Sequence, residues 1–341
     1  MDTLVDDIGS FPLPQGVNRE KYSDAYRLAR EAAVNKKDLT KDAFINENFC
    51  KVVLDSFRRK VATGLDVVNF PQQYDGIKQV GDVLHGAMEK GSFVVEEEKA
   101  VLPEVYLLNQ QAKALSEEFG KKISLRVSIF GPLEQYLTEV GTTAYPDVLD
   151  GFAETIRRFA KNAVLNNEYI ETKVVSIDEP SFGINSVFAS QDLLCEVLEK
   201  AFDFQGATRQ IHLHSATRLQ DLLCIKNLDV LSFEYAASQI NIEAVPKSML
   251  EKADKHIRVG IARTDIDTIW AELSEMGIEK PSNELLVDSE DKIKKRFRVA
   301  KEKYGETMTF TGPDCGLGSW PNQEAAELLL NRTVKAVKTT Q

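Results

Sequence analysis

The chain has 341 residues, 43% of them hydrophobic and 28% charged, a composition typical of a folded globular protein. With 42 basic against 53 acidic residues its net charge is -11, which argues against nucleic acid and anionic membranes as partners. Residues 1–7 lack the basic and apolar segments of a signal peptide, and no apolar run is long enough to span a membrane, so we expect a cytoplasmic protein.

Eight short β-rich runs alternate along the chain with longer amphipathic segments. Several of these runs, such as residues 174–177, are almost continuously apolar, which is typical of parallel strands covered on both faces. In chain order the candidate strands are residues 4–8, 66–70, 123–130, 174–177, 210–214, 230–233, 258–261 and 308–311.

Helical periodicity occupies most of the segments between these strands. The predicted helices are residues 42–63, 99–119, 145–164, 191–202, 218–226, 288–303 and 323–338. A further charged segment, residues 16–41, follows the first strand and is predicted to form a loop and helix over one face. The pattern predicts an α/β fold, a TIM (β/α)₈ barrel built as a single domain over residues 1–341 with an N-terminal helical insertion. A doubly wound open sheet is the alternative.

Three of the predicted strands end in residues that can bind a metal ion. His214 ends the fifth strand, Glu234 the sixth, and Cys315 follows the eighth within a glycine-rich loop, 312–319. The carboxyl ends of all strands of a TIM barrel meet on one face, which brings these side chains together. One nitrogen, one oxygen and one sulfur donor suit zinc, and three protein ligands leave a position open, as in catalytic sites. The alternative is a hydrogen-bonding His214 and a Cys315 that merely fills space.

Two other strand ends carry candidate substrate-binding groups. Asp178, in the run Asp178-Glu179-Pro180, can hold a substrate ammonium or act as a general base, although a turn or capping role is as good an interpretation. Gly9-Ser10 offers a backbone amide and a hydroxyl to a carboxylate, a weak signal on its own.

The remaining histidines and cysteines give no pattern that indicates a site. His212 shares the face of His214, one layer deeper, and is interpreted as a core or supporting residue rather than a ligand. Cys50, Cys195 and Cys224 have no CxxC spacing, so we expect them to pack in the interior, without a disulfide scaffold.

Taken together, the strand-end motifs make the chain resemble the catalytic half of the cobalamin-independent methionine synthase family. The resemblance rests on six motifs in order along nearly the whole chain. They are Ile8-Gly9-Ser10-Phe11-Pro12, Gly131-Pro132, Ile177-Asp178-Glu179-Pro180, Ile211-His212-Leu213-His214 with Phe233-Glu234, and Pro313-Asp314-Cys315-Gly316-Leu317.

The resemblance implies a TIM barrel and a role for each motif. It implies zinc as cofactor, held by His214, Glu234 and Cys315. The segment Ile8-Gly9-Ser10 would hold the carboxylate end of homocysteine, and Asp178 would contact its ammonium group.

The chain departs from the family pattern at three points. Ala216 stands where the family has a second zinc cysteine, which removes one soft ligand. An ungapped reading places Lys78 where the family has a glutamate that helps bind the ammonium, and a lysine there would favour an anionic substrate. The second, N-terminal barrel of the family's full enzyme is not expected here, which makes a methylfolate donor doubtful and favours a methylcorrinoid.

The leading hypothesis is therefore a zinc-dependent thiol S-methyltransferase that converts homocysteine to methionine. The methyl donor would be a methylcorrinoid or methyltetrahydrofolate, either free or presented on a carrier protein. One alternative is a methyltransferase for another small anionic thiol. The other is a barrel that binds a methyl carrier or partner protein without catalysis.

Overall fold

Eight β-strands form the centre of the molecule in the computed structural model, which describes residues 2–185 and 187–341. The strands are β1 Leu4–Val5, β2 Val68–Asn69, β3 Ile123–Phe130, β4 Ile170–Asp178, β5 Thr208–Leu213, β6 Val230–Phe233, β7 His256–Ala262 and β8 Met308–Pro313. Each overlaps one of the eight predicted strands.

The sheet is parallel throughout and closes on itself. Its strand order is β1-β8-β7-β6-β5-β4-β3-β2. Strands β1 and β2 meet through a parallel bridge between Asp6 and Val67, and the carbonyl of Val5 accepts from the amides of Asp66 and Val67 at 2.9 and 3.2 Å. The predicted TIM barrel is confirmed, and the open doubly wound sheet is wrong.

Helices surround the barrel. In the described residues the α-helices are α1 Arg19–Val34, α2 Ala43–Ile45, α3 Lys51–Ala62, α4 Gly76–Met88, α5 Pro103–Gln110, α6 Ala112–Phe119, α7 Pro132–Glu139, α8 Pro146–Asn162, α9 Gln191–Ala201, α10 Ile240–Ala244, α11 Lys247–Lys252, α12 Ile266–Glu275, α13 Asn283–Leu286, α14 Glu290–Tyr304 and α15 Gln323–Lys338. A π-helical turn, Asn46–Cys50, joins α2 to α3.

Polar caps fix where several of these helices begin. The side chains of Ser190, Ser289 and Asn322 each accept a hydrogen bond from a backbone amide three residues further on, at the starts of α9, α14 and α15. Such a bond satisfies one of the amides that a helix start leaves without an intrahelical partner. The starts of α9 and α15 match those predicted from the sequence, and α14 begins two residues later than predicted, after its cap at Ser289.

The predicted helix over residues 218–226 is wrong in extent. Only a 3₁₀ turn, Leu219–Leu222, forms there. The chain then runs through turns to β6, which begins at Val230, and a disulfide joins Cys224 to Cys195 on α9. The expectation that Cys195 and Cys224 serve only as unpaired packing residues is corrected by the same bond.

The N-terminal insertion builds a second hydrophobic core beside the barrel. Tyr22 and Tyr26 on α1 pack with Phe49, and the ring of Tyr26 stacks on Tyr74 with centroids 4.0 Å apart. Since Tyr74 lies in the loop after β2, this core fixes that loop against α1. The first residue of the insertion helix, Arg19, reaches the carboxyl end of the barrel.

Buried charges fill part of the barrel interior. Asp6 accepts from Nη1 of Arg126 at 2.8 Å and from Nε of Arg258 at 2.6 Å, and all three side chains are inaccessible to solvent. On α3, in the layer of helices around the barrel, Lys60 is likewise buried and pairs with Asp7 at 2.6 Å. Buried ions are tolerated when paired and hydrogen-bonded, so Asp6, Arg126 and Arg258 form a polar layer within the barrel.

None of the described helices is both long enough and apolar enough to cross a lipid bilayer.

Candidate active site

Three side chains predicted to bind metal meet at the carboxyl end of the barrel. Nε2 of His214 lies 3.5 Å from Sγ of Cys315 and 3.4 Å from Oε1 of Glu234. Two ligands on a tetrahedral zinc ion with bonds of 2.0–2.3 Å are themselves about 3.3–3.8 Å apart. Both distances therefore fit a shared metal ion.

The loops that carry these side chains are tied together by buried polar groups. The side-chain amide of Asn241 on α10 donates to the carbonyls of His214 and Glu234, both at 2.8 Å, and its Oδ1 accepts from the amide of Ala216 at 3.0 Å. Asn241 thus joins the ends of β5 and β6. Sequence reasoning missed this residue, because nothing in its own segment marks it.

A second link joins the loop after β6 to the loop that carries Cys315. The buried carboxylate of Asp314 accepts from the backbone amides of Tyr235, Ala236 and Ala237 at 2.6–3.1 Å. Glu234 and Cys315 flank these bonds in sequence. Their relative position is therefore set by backbone hydrogen bonds, before any metal binds.

Burial disfavours charge on the metal-binding groups. It raises the pKa of Glu234 to about 8, with the carboxylates of Asp314 and Asp265 contributing. Burial and then Glu234 raise the pKa of the Cys315 thiol above its usual range, and burial lowers the pKa of His214. A bound divalent cation would reverse the shifts of the thiol and the carboxyl, so metal binding would release protons.

His212 belongs to the same cluster. One ligand atom from each of His212, His214, Glu234 and Cys315 can be chosen so that all four lie within 4.8 Å of one another. The interpretation of His212 as a residue below the site is right about its depth, since it is only 2% exposed. It is nevertheless close enough to the other three residues to share a metal ion with them.

A cavity of ≈ 390 Å³ opens beside this cluster. The volume is within the range of pockets that hold small molecules. Among the predicted site residues, Ile8, Gly9, Ser10, Asp178, His214 and Cys315 line it. The thiol of Cys315 and the imidazole of His214 therefore face the same space as the predicted substrate-binding groups.

The loop after β1 offers hydrogen-bond donors to this cavity. The backbone amide of Ser10 has no acceptor among the described residues, and its hydroxyl donates to none of them. That hydroxyl oxygen accepts from the amide of Gly318 at 3.0 Å, and the carbonyl of Ser10 accepts from Leu317 at 2.6 Å. The loop is thus anchored to the Cys315 loop while an N–H and an O–H remain for an anion.

The loops after β1, β2 and β8 approach one another closely, which explains why glycine occurs at positions 9 and 316. Gly9 has a φ of 60°, in the left-handed region, and a Cβ on it would lie 3.2 Å from Oε1 of Gln72. A Cβ on Gly316 would lie 3.0 Å from the backbone nitrogen of Ser10. Side chains at these positions would push apart the loops after β1, β2 and β8.

Two aspartates line the cavity, Asp178 and Asp75, and Asp75 caps the start of α4. Oδ1 of Asp178 accepts from Oγ of Ser176 at 2.5 Å, and the side chain is 7% exposed. Burial raises the pKa of Asp178 to about 6, while the nearby guanidinium of Arg126 acts in the opposite direction. At neutral pH the group is thus an anion with one face open to a ligand, which suits an ammonium group.

Lys78 does not reach the cavity. It lies exposed in the first turn of α4, where its amide donates to Asp75. Gln72 lies on the cavity wall after β2 instead. Its backbone φ of 44° is one that residues other than glycine rarely adopt. Its Nε2 donates to Gln79 and to the carbonyl of Ser128, and its Oε1 accepts no bond from the described residues. Gln72 lies in the loop directly after β2, where the barrel fold places site residues. The ungapped comparison with the family selects Lys78 instead.

Arg19 is the cation that lines the cavity. Its side chain is exposed, and it forms no ion pair or hydrogen bond with any described residue. Sequence reasoning placed its helix near one face of the barrel but gave Arg19 no role. An anionic group in the cavity would have Arg19 as a partner.

The fold also occurs in a solved structure to which this chain is similar. A B12-independent methionine synthase from Shewanella sp. W3-18-1, determined in complex with selenomethionine, matches with a TM-score of 0.65 over 99% of this chain and 98% of that chain, at 13% identity. A GH113 β-1,4-mannanase matches over 97% and 98% at 9% identity, but its TM-score of 0.43 supports no argument. No protein-family model and no curated protein matches the chain. At this identity the first match supports the TIM barrel.

Proposed function

We propose that the protein is a zinc-dependent thiol S-methyltransferase whose acceptor is homocysteine. The observation that carries the proposal is the meeting of His214, Glu234 and Cys315, with separations that suit one zinc ion, beside a small-molecule cavity that His214 and Cys315 line. The structural likeness to a methionine synthase over nearly the whole chain supports the same activity.

The residues of the cavity would hold the two ends of the acceptor. The amide and hydroxyl of Ser10 would donate to its carboxylate, with Gly9 allowing the backbone to come close. Asp178 would accept from its ammonium group, and Oε1 of Gln72 would offer a second acceptor. These contacts would orient the thiol toward His214 and Cys315.

The metal-binding residues would receive the sulfur end of the acceptor. Zinc bound there would hold a substrate thiol as its thiolate near neutral pH, and the thiolate is the reactive nucleophile. In the transfer the acceptor sulfur forms a bond to the methyl carbon as the bond from that carbon to the donor breaks. Fixing the acceptor at both ends would supply part of the rate through orientation.

Two measurements test this proposal. Metal analysis after preparation with zinc should find close to one zinc per chain, and less than about a tenth would contradict it. Methyl transfer to homocysteine should occur with methylcobalamin or with methyltetrahydrofolate, and the pair also separates the two donor classes. A metal-loaded protein without turnover with either donor would instead favour a barrel that binds a methyl carrier or partner.

The unpaired Arg19 favours a second candidate, a methyltransferase for another small anionic thiol. Its guanidinium would pair with a carboxylate or sulfonate beyond the reach of Ser10. A thermal-shift comparison of homocysteine with mercaptoethanesulfonate separates the candidates. Stabilisation by homocysteine alone would exclude the second.

A further inference from the structure

We propose that Nε2 of His212 is a fourth protein ligand of the metal site, in addition to His214, Glu234 and Cys315. This inference rests on the proposed function only in requiring that the site bind a metal ion. It would make the site a set of two imidazoles, one carboxylate and one thiolate, and the acceptor thiol of the proposed function would then enter as a fifth ligand. The second imidazole would replace the ligand that Ala216 cannot provide.

The strongest support is an unsatisfied buried atom. His212 is 2% exposed, and its Nε2 has no hydrogen-bond partner among the described residues. A buried nitrogen without a partner is destabilising, and native proteins rarely leave one. This nitrogen belongs to a cluster whose four ligand atoms all lie within 4.8 Å of one another. A metal ion in that cluster would satisfy it.

The other ring nitrogen is held in the way that metal-binding histidines usually are. Nδ1 of His212 lies 3.2 Å from Oγ of Ser232, its partner in register on β6. If Nδ1 carries the proton and donates to this hydroxyl, the lone pair of Nε2 is left for a metal. Such a bond on the far nitrogen fixes both tautomer and ring orientation.

The strand geometry places both imidazoles on one side of the barrel. His212 and His214 are two residues apart at the end of β5. Because side chains alternate between the two faces of a strand, these two lie on the same face. Their ring centroids are 5.7 Å apart and the planes are inclined by 68°. The rings are therefore neither stacked nor in steric conflict. Nε2 of His212 and Nε2 of His214 can bind the same metal ion.

Ala216 shows why a replacement is needed. Its side chain is a buried methyl group, and its amide is fixed by Asn241. With His212 as the fourth ligand, the single thiolate and single carboxylate balance the charge of a divalent ion. A site with four protein ligands is also expected to hold its metal more tightly than one with three.

The test measures metal binding rather than turnover. The protein is stripped with a chelator and titrated with Zn²⁺ against a chromophoric competitor, and separately with Co²⁺ while its visible absorption is recorded. His212→Ala should weaken Zn²⁺ binding by about 100-fold or more and change the Co²⁺ spectrum. Ser232→Ala should weaken binding by about 10-fold. His256→Ala, which removes an exposed imidazole on β7, should change neither.

A double variant gives an independent check. His212→Ala combined with Ala216→Cys should recover much of the lost affinity, with a Co²⁺ spectrum shifted toward thiolate ligation. Unchanged affinity and spectrum in both His212→Ala and Ser232→Ala, while His214→Ala loses the metal, would overturn this inference and leave the proposed function intact. A wild-type protein that binds neither ion would overturn both. If His212→Ala fails to fold, Ser232→Ala decides.

Discussion

Sγ of Cys315 lies 3.5 Å from Nε2 of His214, although 101 residues separate them in the chain. Strands β5 and β8, which these residues follow, are not neighbours in the sheet, since β6 and β7 lie between them. Only the closure of the sheet brings their ends together. The contact is thus a consequence of the barrel, and it puts the one thiol of the cluster on the cavity wall.

Replacing Cys315 should remove the only sulfur ligand that we propose. Cys315→Ala is expected to lower the affinity for Zn²⁺ by more than about 100-fold, because a direct ligand contributes more than the outer partners whose loss costs 10–100-fold. Competition with a chromophoric chelator measures the change. Cys50→Ala removes the other free cysteine, buried in the helical core away from the cavity, and should leave affinity unchanged. Equal affinities of the two variants would contradict the assignment.

Asn241 should affect the affinity for Zn²⁺ although it is not a proposed metal ligand. Its amide joins the carbonyls of His214 and Glu234 and the amide of Ala216. Asn241→Ala would free the ends of β5 and β6, and we expect a loss of about 10–100-fold in Zn²⁺ affinity. Gln239→Ala, on an exposed residue just before the same helix, is the matched control. If both variants bind Zn²⁺ like the wild type, the amide is not a positioning group.

The convergence at the barrel face was predictable from sequence, and the hydrogen bonds that stabilise it were not. His214, Glu234 and Cys315 each follow a recognisable parallel strand, and a closed barrel leaves the ends of such strands only one place to meet. Asn241 comes from a short helix after β6 and reaches back to two strand ends. No periodicity in its segment indicates that contact, because it depends on the tertiary path of the loop.

The lining of the cavity at the end of β2 was hard to predict for a different reason. Counting residues without a gap selects Lys78, and a shift of a few residues moves a position from the cavity wall to an exposed helix turn. Gln72 lies on the wall, in a left-handed conformation that residue type alone does not predict. The orphan nitrogen of His212 likewise required knowledge of which nearby groups lack a partner.

Asp178 should control recognition of the amino group of the acceptor. Asp178→Asn removes the anion proposed to pair with the ammonium, and a hydrogen bond to a charged group contributes about 1.5–3 kcal/mol, or roughly 10–100-fold in binding. We expect KM for homocysteine to rise by that factor, with a smaller change in kcat. Steady-state kinetics measure both. The analogue 4-mercaptobutyrate, which lacks the amino group, should bind wild type and variant alike; an equal loss for both thiols would contradict the pairing.

Glu104, which is not a member of the metal cluster, should make the free energy of unfolding depend on pH. It lies fully buried on α5, where Nε2 of Gln79 donates to its Oε1 at 3.1 Å and its Oε2 has no partner among the described residues. Burial raises the pKa of Glu104 to about 7, while its own backbone hydrogen bond and the guanidinium of Arg30 act in the opposite direction. In the unfolded chain the pKa of a glutamate is about 4.3. Between these values the folded state binds the proton more tightly, so the contribution of Glu104 to stability is full below about pH 4 and is lost as the pH rises through 7.

Replacing the carboxyl of Glu104 with an amide should remove this loss of stability at higher pH. Glu104→Gln has no proton to release, and we expect it to be more stable than the wild type at pH 8 by up to about 3 kcal/mol and closer to it at pH 5. Urea midpoints measured from pH 5 to 8 give the difference, and the comparison cancels the other buried carboxyls common to both proteins. Glu98→Gln, at an exposed position nearby, should run parallel to the wild type. A Glu104→Gln curve that is also parallel to the wild type would show that Glu104 is already ionised in the folded protein across this range.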